Sequence, residues 1–270
     1  MNALRIWFKQ SKIHGLIGLI AVVFALQSSL EVAGWLWGIS LEENILNWLS
    51  LRNDWPRGFL HPWTLLTHGF LHHGLFHVLF NVAMLWYAGG LLTTFWKADR
   101  VVWLFLTGIV AGGLAFWSVS PVMGTVVVVG ASGGIYALLV VAALTAPGMR
   151  IRLFLAASIS LRTLVMVLLA ISCIAIFAGS NVGGNVAHLG GALWAYVVFH
   201  RPEWLPDTLP NFPRMKQRRS GIHPDSRRHV KLQGSVDERL DALLEKIHRH
   251  GMESLTEAEK AYLNSYGNKQ

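Results

Sequence analysis

The chain has 270 residues, of which 53% are hydrophobic and 14% charged, and the charges are sparse before about residue 200. That composition excludes a soluble domain with an ordinary polar surface and points to an integral membrane protein. The formal charge of +8 sits mostly in short connections and the tail, so it bears on orientation rather than on nucleic acid, and the single cysteine, Cys173, excludes an intramolecular disulfide.

Arg5, Lys9 and Lys12 precede the apolar run Ile17–Leu26, a pattern shared with secretory signal peptides. No small-x-small cleavage site follows and five more apolar spans do, so this run reads as the first of six membrane segments. The six are 15–36, 74–96, 101–119, 132–146, 161–179 and 186–200. Lys97 and Arg100 follow the second, Arg150, Arg152 and Arg162 follow the fourth, and the tail is rich in both residue types. The connections at 120–131 and 180–185 carry no charge, and 39–73 balances Arg52 and Arg57 against Glu42, Glu43 and Asp54. The positive-inside rule then makes both termini cytoplasmic. Trp35, Trp37, Trp96 and Trp117, near span ends, read as interfacial anchors.

With that topology, spans two, four and six all run from outside to inside. His77 and Asn81 lie just inside the start of span two, Ser132 opens span four, and His188 falls in the first turn of span six. Four polar side chains from three helices thus share one depth. Span four, at ~15 residues and ~1.5 Å per residue, covers only ~22 Å of a ~30 Å core. Its first residue therefore lies below the outer surface, and Pro121–Val129 enters the membrane in non-helical form, surrounded by protein or a water-filled cavity.

Ser132 has Gly130, Gly133 and Gly134 around it. At a helix N-terminus its hydroxyl sits beside unpaired N–H groups and the positive end of the helix dipole, which stabilise an oxyanion. A neutral His188 imidazole can take the hydroxyl proton and return it to a leaving amine. Tyr136, four residues after Ser132, shares its helix face and is placed to pack on that imidazole; His77 and Asn81, also four apart, can both donate to the oxyanion. No Asp or Glu lies in spans two to six, so serine and histidine act as a dyad positioned by packing, and neither a zinc H-E-x-x-H site nor an aspartyl pair is present. His68, His72 and His73 cluster near the outer surface, but their spacing matches no standard metal site, and loop-folding roles suffice. No metal or cofactor is expected.

Three motifs, Gly130-Ala131-Ser132-Gly133 with Tyr136, His77-Val78-Leu79-Phe80-Asn81, and Ala187-His188-Leu189-Gly190-Gly191, together resemble the rhomboid family of intramembrane serine proteases over about 14–200. The resemblance implies an all-α, six-helix membrane bundle that cleaves transmembrane segments of other membrane proteins, in a bacterial inner membrane. It implies Ser132 as nucleophile, His188 as base, His77, Asn81 and the Ser132 N–H as oxyanion donors, and Tyr136, Gly130 and Gly133 as support. Two departures stand out: Trp63-Thr64 where the family often has Trp-Arg, and Ala195 where a glycine often closes the small-residue pair begun by Gly191. The competing readings are a non-proteolytic relative that binds client membrane proteins, and a transporter, which would need an inverted repeat that the sequence does not have.

The remainder divides into a basic, proline-containing linker at 201–234 and a small cytoplasmic helical hairpin at 235–270. The hairpin reading rests on Ser235 with Glu238, on Leu240, Leu243, Leu244 and Ile247, and on Thr256 with Glu259. Everything beyond about residue 205 is expected to be dispensable for chemistry.

Overall fold

The structure, a computed structural model, describes residues 3–38, 46–54, 60–122, 124–153, 157–209, 243, 245–247 and 251–267. Six helices correspond to the six apolar segments: α1 (Ala3–Trp37), α2 (Leu75–Leu92), α3 (Ala98–Val119), α4 (Ser132–Thr145), α5 (Leu161–Phe177) and α6 (Val182–His200). Four of them, α1, α2, α3 and α6, are long and apolar enough to cross a membrane, while α4 and α5 are shorter, at 14 and 17 residues. Helix α4 is the centre of the fold. Ten of its residues are buried, on every face, as expected of a helix enclosed by others rather than by solvent or lipid. It stops at Thr145 because Ala146 precedes Pro147, whose ring disfavours helical geometry in the residue before it.

Helices α3, α4 and α6 touch through glycines. A Cβ at Gly191 would lie 2.1 Å from the Gly133 carbonyl oxygen, one at Gly112 2.7 Å from the Ala187 carbonyl, and one at Gly134 2.5 Å from the Phe105 carbonyl. In lipid, where apolar side chains gain little by leaving the acyl chains, such backbone-to-backbone packing is a main source of helix association. Around this centre Leu104, Phe105, Ile109, Leu138 and Leu139 form the core, with Ile13 and Ile20 of α1 and Leu85 of α2 packed on it.

The segment before α4 is non-helical, as its position demands. After a 3-10 turn at Ser120–Val122, β2 (Val127–Val128) pairs antiparallel with β1 (Leu51–Arg52). Asn53 clamps the pairing from the side: its amide donates to the Gly124 carbonyl at 2.9 Å and its oxygen accepts from the Val126 N–H at 2.7 Å. Trp117 of α3 donates to the Arg52 carbonyl at 3.1 Å, so it is a strut for this loop rather than only an interfacial anchor. Where the family often has arginine, Thr64 is buried and donates to the His61 carbonyl, Trp63 donates to the Trp48 carbonyl, and Thr67 donates to the Leu49 carbonyl. Neutral donors thus hold the loop between α1 and α2.

Two expectations need correction. The chain is mostly helical but not all-α: the connection after α4 is a hairpin, β3 (Arg150–Leu153) with β4 (Ala157–Ser160), in register Ile151↔Ile159. Its strands alternate polar and apolar residues, and Ile151 packs on the core. Helix α6 begins at Val182, not 186, because Asn181 adopts a left-handed conformation (φ 43°) that turns the chain directly into the helix. Residues 182–185 are therefore helical, and His188 lies in the second turn. Residues 202–209 pack back onto the helices. Leu205 is buried, Arg100 donates to the Pro202 carbonyl, Trp103 to the Thr208 carbonyl, and the Leu209 N–H donates to Asp99, which also pairs with Lys12.

The chain divides into two compact units, 1–210 and 211–270. In the second, α7 (Glu257–Gly267) starts at a capping box: the Thr256 N–H donates to Glu259 at 2.7 Å, and Lys246 pairs with the same carboxylate. Ser235, Glu238, Leu240, Leu244 and most of the linker lie outside the described residues.

A chain ended after Pro210 should keep the thermal midpoint of the membrane unit. Ending it after Arg201 should lower the midpoint by roughly 5–10 °C, from loss of the buried Leu205 and the hydrogen bonds of 202–209. Thermal unfolding of both in one detergent checks this.

Candidate active site

The site is built where the β2 segment turns into α4. Gly130 has φ +126°, a conformation open to glycine, and its N–H donates to the His68 carbonyl at 2.9 Å. The turn brings Ser132 in as the first residue of α4, where the leading N–H groups have no helical acceptor. On α6, His188 lies three residues before Gly191 and so on the same face, the one pressed against Gly133. The two constraints meet in one contact: Ser132 Oγ and His188 Nε2 are 2.7 Å apart.

The imidazole is held on two further sides. Tyr136 stacks on it with ring centroids 4.3 Å apart and planes 9° from parallel. Its Nδ1 lies 3.2 Å from the hydroxyl of Ser172 on α5, which in turn lies 3.2 Å from the Tyr136 hydroxyl. Ser172 is buried. Sequence reasoning missed it: a lone serine in an apolar helix shows no sign of which neighbour it faces.

His77 stands on the other side of Ser132. A Cβ on Gly130 would come within 2.8 Å of His77 Cε1 and 2.9 Å of Nε2, so the imidazole edge occupies the space that the missing side chain leaves. Asn81 is buried one turn along, and its amide donates to the His77 carbonyl at 2.9 Å. A cavity of about 490 Å³ connects these groups, lined by His77, Gly130, Ser132, Gly133 and His188, with His68, His73, Val127–Val129, Asn181, Gly184 and Ala187 completing the wall. Asn81 is not in its lining. A second cavity, between α1 and the loop after it, is almost wholly apolar and lies apart from these residues.

The histidine cluster has loop-building contacts. His68 is buried, with Nδ1 2.7 Å from the Thr64 carbonyl. Burial in apolar surroundings depresses its pKa to about 4, so the ring stays neutral. His72 is held by its peptide, which gives and receives hydrogen bonds with Gln27 of α1, and its ring meets that of His77 edge-on at 5.0 Å. No group of three or more His, Cys, Asp or Glu that could hold a metal ion occurs among the described residues.

Comparison with known proteins decides the family. The family model described as Rhomboid domain matches residues 60–200, slightly over half of the chain. The chain belongs to the rhomboid family. Residues 235–269 match a second family, one of unknown function (DUF6576). The rhomboid protease GlpG of Serratia proteamaculans is 28% identical over 126 residues, 46% of this chain and 40% of the relative. Rhomboid-related protein 3 of Homo sapiens is 37% identical over 116 residues, covering 40% and 28%. GlpG of Photorhabdus laumondii is 31% identical over 113 residues, covering 41% and 37%. The matched part of the chain thus spans well under half the length of each of these relatives. At the family level this is an integral membrane protein with a rhomboid domain.

On the proteolytic reading proposed below, Gly130→Ala should lower turnover of a transmembrane substrate by ~10-fold or more, since the new Cβ both strains φ and displaces His77. Gly124→Ala, where a Cβ meets nothing within 4 Å, should leave turnover unchanged. Parallel cleavage assays on the two purified variants provide the check.

Proposed function

We propose that this rhomboid is an active intramembrane serine endopeptidase that cuts transmembrane segments of other membrane proteins. The observation that carries the reading is the 2.7 Å contact between Ser132 Oγ and His188 Nε2 on a polar cavity inside an apolar helix bundle. A serine and a histidine at that depth cost stability unless they have a use, and this geometry is the one that nucleophile and base require.

In this scheme His188 takes the Ser132 proton as Oγ attacks the scissile carbonyl carbon. The oxyanion that forms is met by the Ser132 N–H at the start of α4 and by His77 across Gly130. Asn81 stands one turn further on and outside the cavity lining, its amide bonded to the His77 carbonyl, so to serve as a further oxyanion donor it must turn its second N–H into the cavity when substrate is bound. As the intermediate collapses, the C–N bond breaks and the leaving amine receives the proton from His188. Water then attacks the acyl-serine, His188 removing its proton, and the new carboxyl group leaves as Ser132 regains its own. Gly133 lets α6 approach, and Tyr136 keeps the imidazole plane fixed.

The reading includes a six-helix bundle over 1–200 in a bacterial inner membrane, both termini cytoplasmic. The fit of α1–α6 to the six apolar segments and the basic residues at 97–100 and 150–162 support it. It also includes a basic linker at 201–234 and a helical hairpin over 235–270, supported by the capping box at Thr256 and by the separate family match there.

A fluorophosphonate probe should label the purified protein, and Ser132→Ala should abolish both labelling and cleavage while the thermal midpoint holds. His188→Ala should lose nearly as much, because the two groups act as a unit. Substantial turnover by a folded Ser132→Ala protein would sink the proposal.

A further inference from the structure

We propose that Ser172 is a positioning residue for the reaction: it fixes which nitrogen of His188 carries the proton and steadies the charge that the ring acquires. The inference rests on the proteolytic reading above and adds to it a third side chain, on a helix that carries none of the rhomboid motifs.

The argument is a count of donors. The hydroxyl of Tyr136 lies 3.4 Å from the Leu168 carbonyl and 3.2 Å from Ser172 Oγ, and Ser172 Oγ lies 3.2 Å from His188 Nδ1. A carbonyl can only accept, so the one arrangement that makes all three contacts hydrogen bonds at once has Tyr136 donating its single hydrogen to Leu168; the reverse direction would leave the Leu168 contact unmade. Ser172 then donates its hydrogen to the Tyr136 oxygen and accepts from His188, so the imidazole hydrogen sits on Nδ1. Nε2 is left with a lone pair, and it faces Ser132 Oγ at 2.7 Å. This is the tautomer that a base toward Ser132 must have. Every polar hydrogen in the chain from Ser132 to Leu168 has an acceptor, and the direction of the whole chain is set by one backbone carbonyl.

The same chain changes strength during the reaction. When His188 takes the serine proton, the Nδ1–H bond to Ser172 becomes charge-assisted and shortens, and the aligned hydroxyls behind it polarise in the same sense. The gain is made in the transition state rather than on binding, so it acts on kcat. A carboxylate in this place would stabilise the imidazolium more, but it would carry a full charge into the membrane interior. A serine backed by a tyrosine supplies orientation with neutral groups. Tyr136 therefore has two functions, stacking on the ring and terminating the chain.

Ser172→Ala removes the hydroxyl with little change in volume. It should lower kcat by about 10–10²-fold while KM stays within about twofold, the loss expected of a hydrogen bond to a group that becomes charged. Ser172→Thr, which restores a hydroxyl, should recover most of the activity. Tyr136→Phe keeps the stacked ring but ends the chain. It should lower kcat about threefold in the wild-type background and have no effect in Ser172→Ala, because the link to His188 is already cut. Unchanged kcat in Ser172→Ala would overturn the proposal. So would equal losses in the Ala and Thr variants, or a Tyr136→Phe effect that persists without Ser172, since either marks a packing role. Failure of Ser132→Ala to abolish cleavage would instead remove the proteolytic reading itself, whatever Ser172 does.

Discussion

Helices in a bilayer gain little by burying apolar side chains against one another, because lipid tails serve as well. What draws α3, α4 and α6 together here is contact between backbones, and glycine is the residue that allows it. At the tightest point a Cβ on Gly191 would stand 2.1 Å from the Gly133 carbonyl oxygen, so no larger residue fits without moving a helix. The rest of the site follows from that contact by helix geometry. Ser132 precedes Gly133, and His188 precedes Gly191 by three residues, which puts it on the same face. Once the two backbones touch, a serine and a histidine 56 residues apart have little choice but to meet.

The second constraint is water, which the proposed hydrolysis needs and a bilayer excludes. Helix α4 is only 14 residues long, about 21 Å. The chain leading to it therefore runs through the membrane region without helical hydrogen bonds, and its polar backbone must be satisfied in another way. The β1–β2 pair, the Asn53 clamp and the Gly130 bond to His68 do so. The same segment forms one wall of the polar cavity, so what satisfies the backbone also bounds the space in which a substrate and water would meet Ser132. On the opposite wall Asn181 and Gly184 belong to a fixed helix start. The amide of Asn185 is bonded to the Ser180 and Asn181 carbonyls, so side-chain hydrogen bonds tie down the start of α6.

Much of this was legible in the residues. Hydropathy marks six segments, and three motifs on alternate ones single out Ser132, His188 and His77, which line one cavity in the structure. The stacking of Tyr136 on His188 follows from a four-residue spacing. Other features depend on facts that a linear sequence does not carry. Ser172 is one polar residue among apolar ones, and its facing is set by how α5 leans on α4 and α6. Asn81 shares a helix face with His77, yet being one turn further on, with its amide bonded to the His77 carbonyl, keeps it out of the cavity lining. The β3–β4 hairpin is encoded in the alternation of Arg150-Ile151-Arg152-Leu153, although its arginines serve equally as an orientation signal. Asn181 could have been read as a left-handed helix start only by weighing it above the glycines that follow.

The most direct measurement of the central claim, that backbone contact between α4 and α6 creates the reactive pair, is the second-order rate at which a fluorophosphonate phosphonylates Ser132, with loss of fluoride, in Gly191→Ala. Gly18→Ala on α1, where a Cβ meets nothing within 4 Å, is the matched control. Overpacking at the contact costs about 1–3 kcal/mol and must push the helices apart. The account predicts at least a tenfold slower reaction and a lower thermal midpoint for Gly191→Ala, with both quantities unchanged in the control. A Gly191→Ala protein that reacts at the wild-type rate with undiminished stability would contradict it.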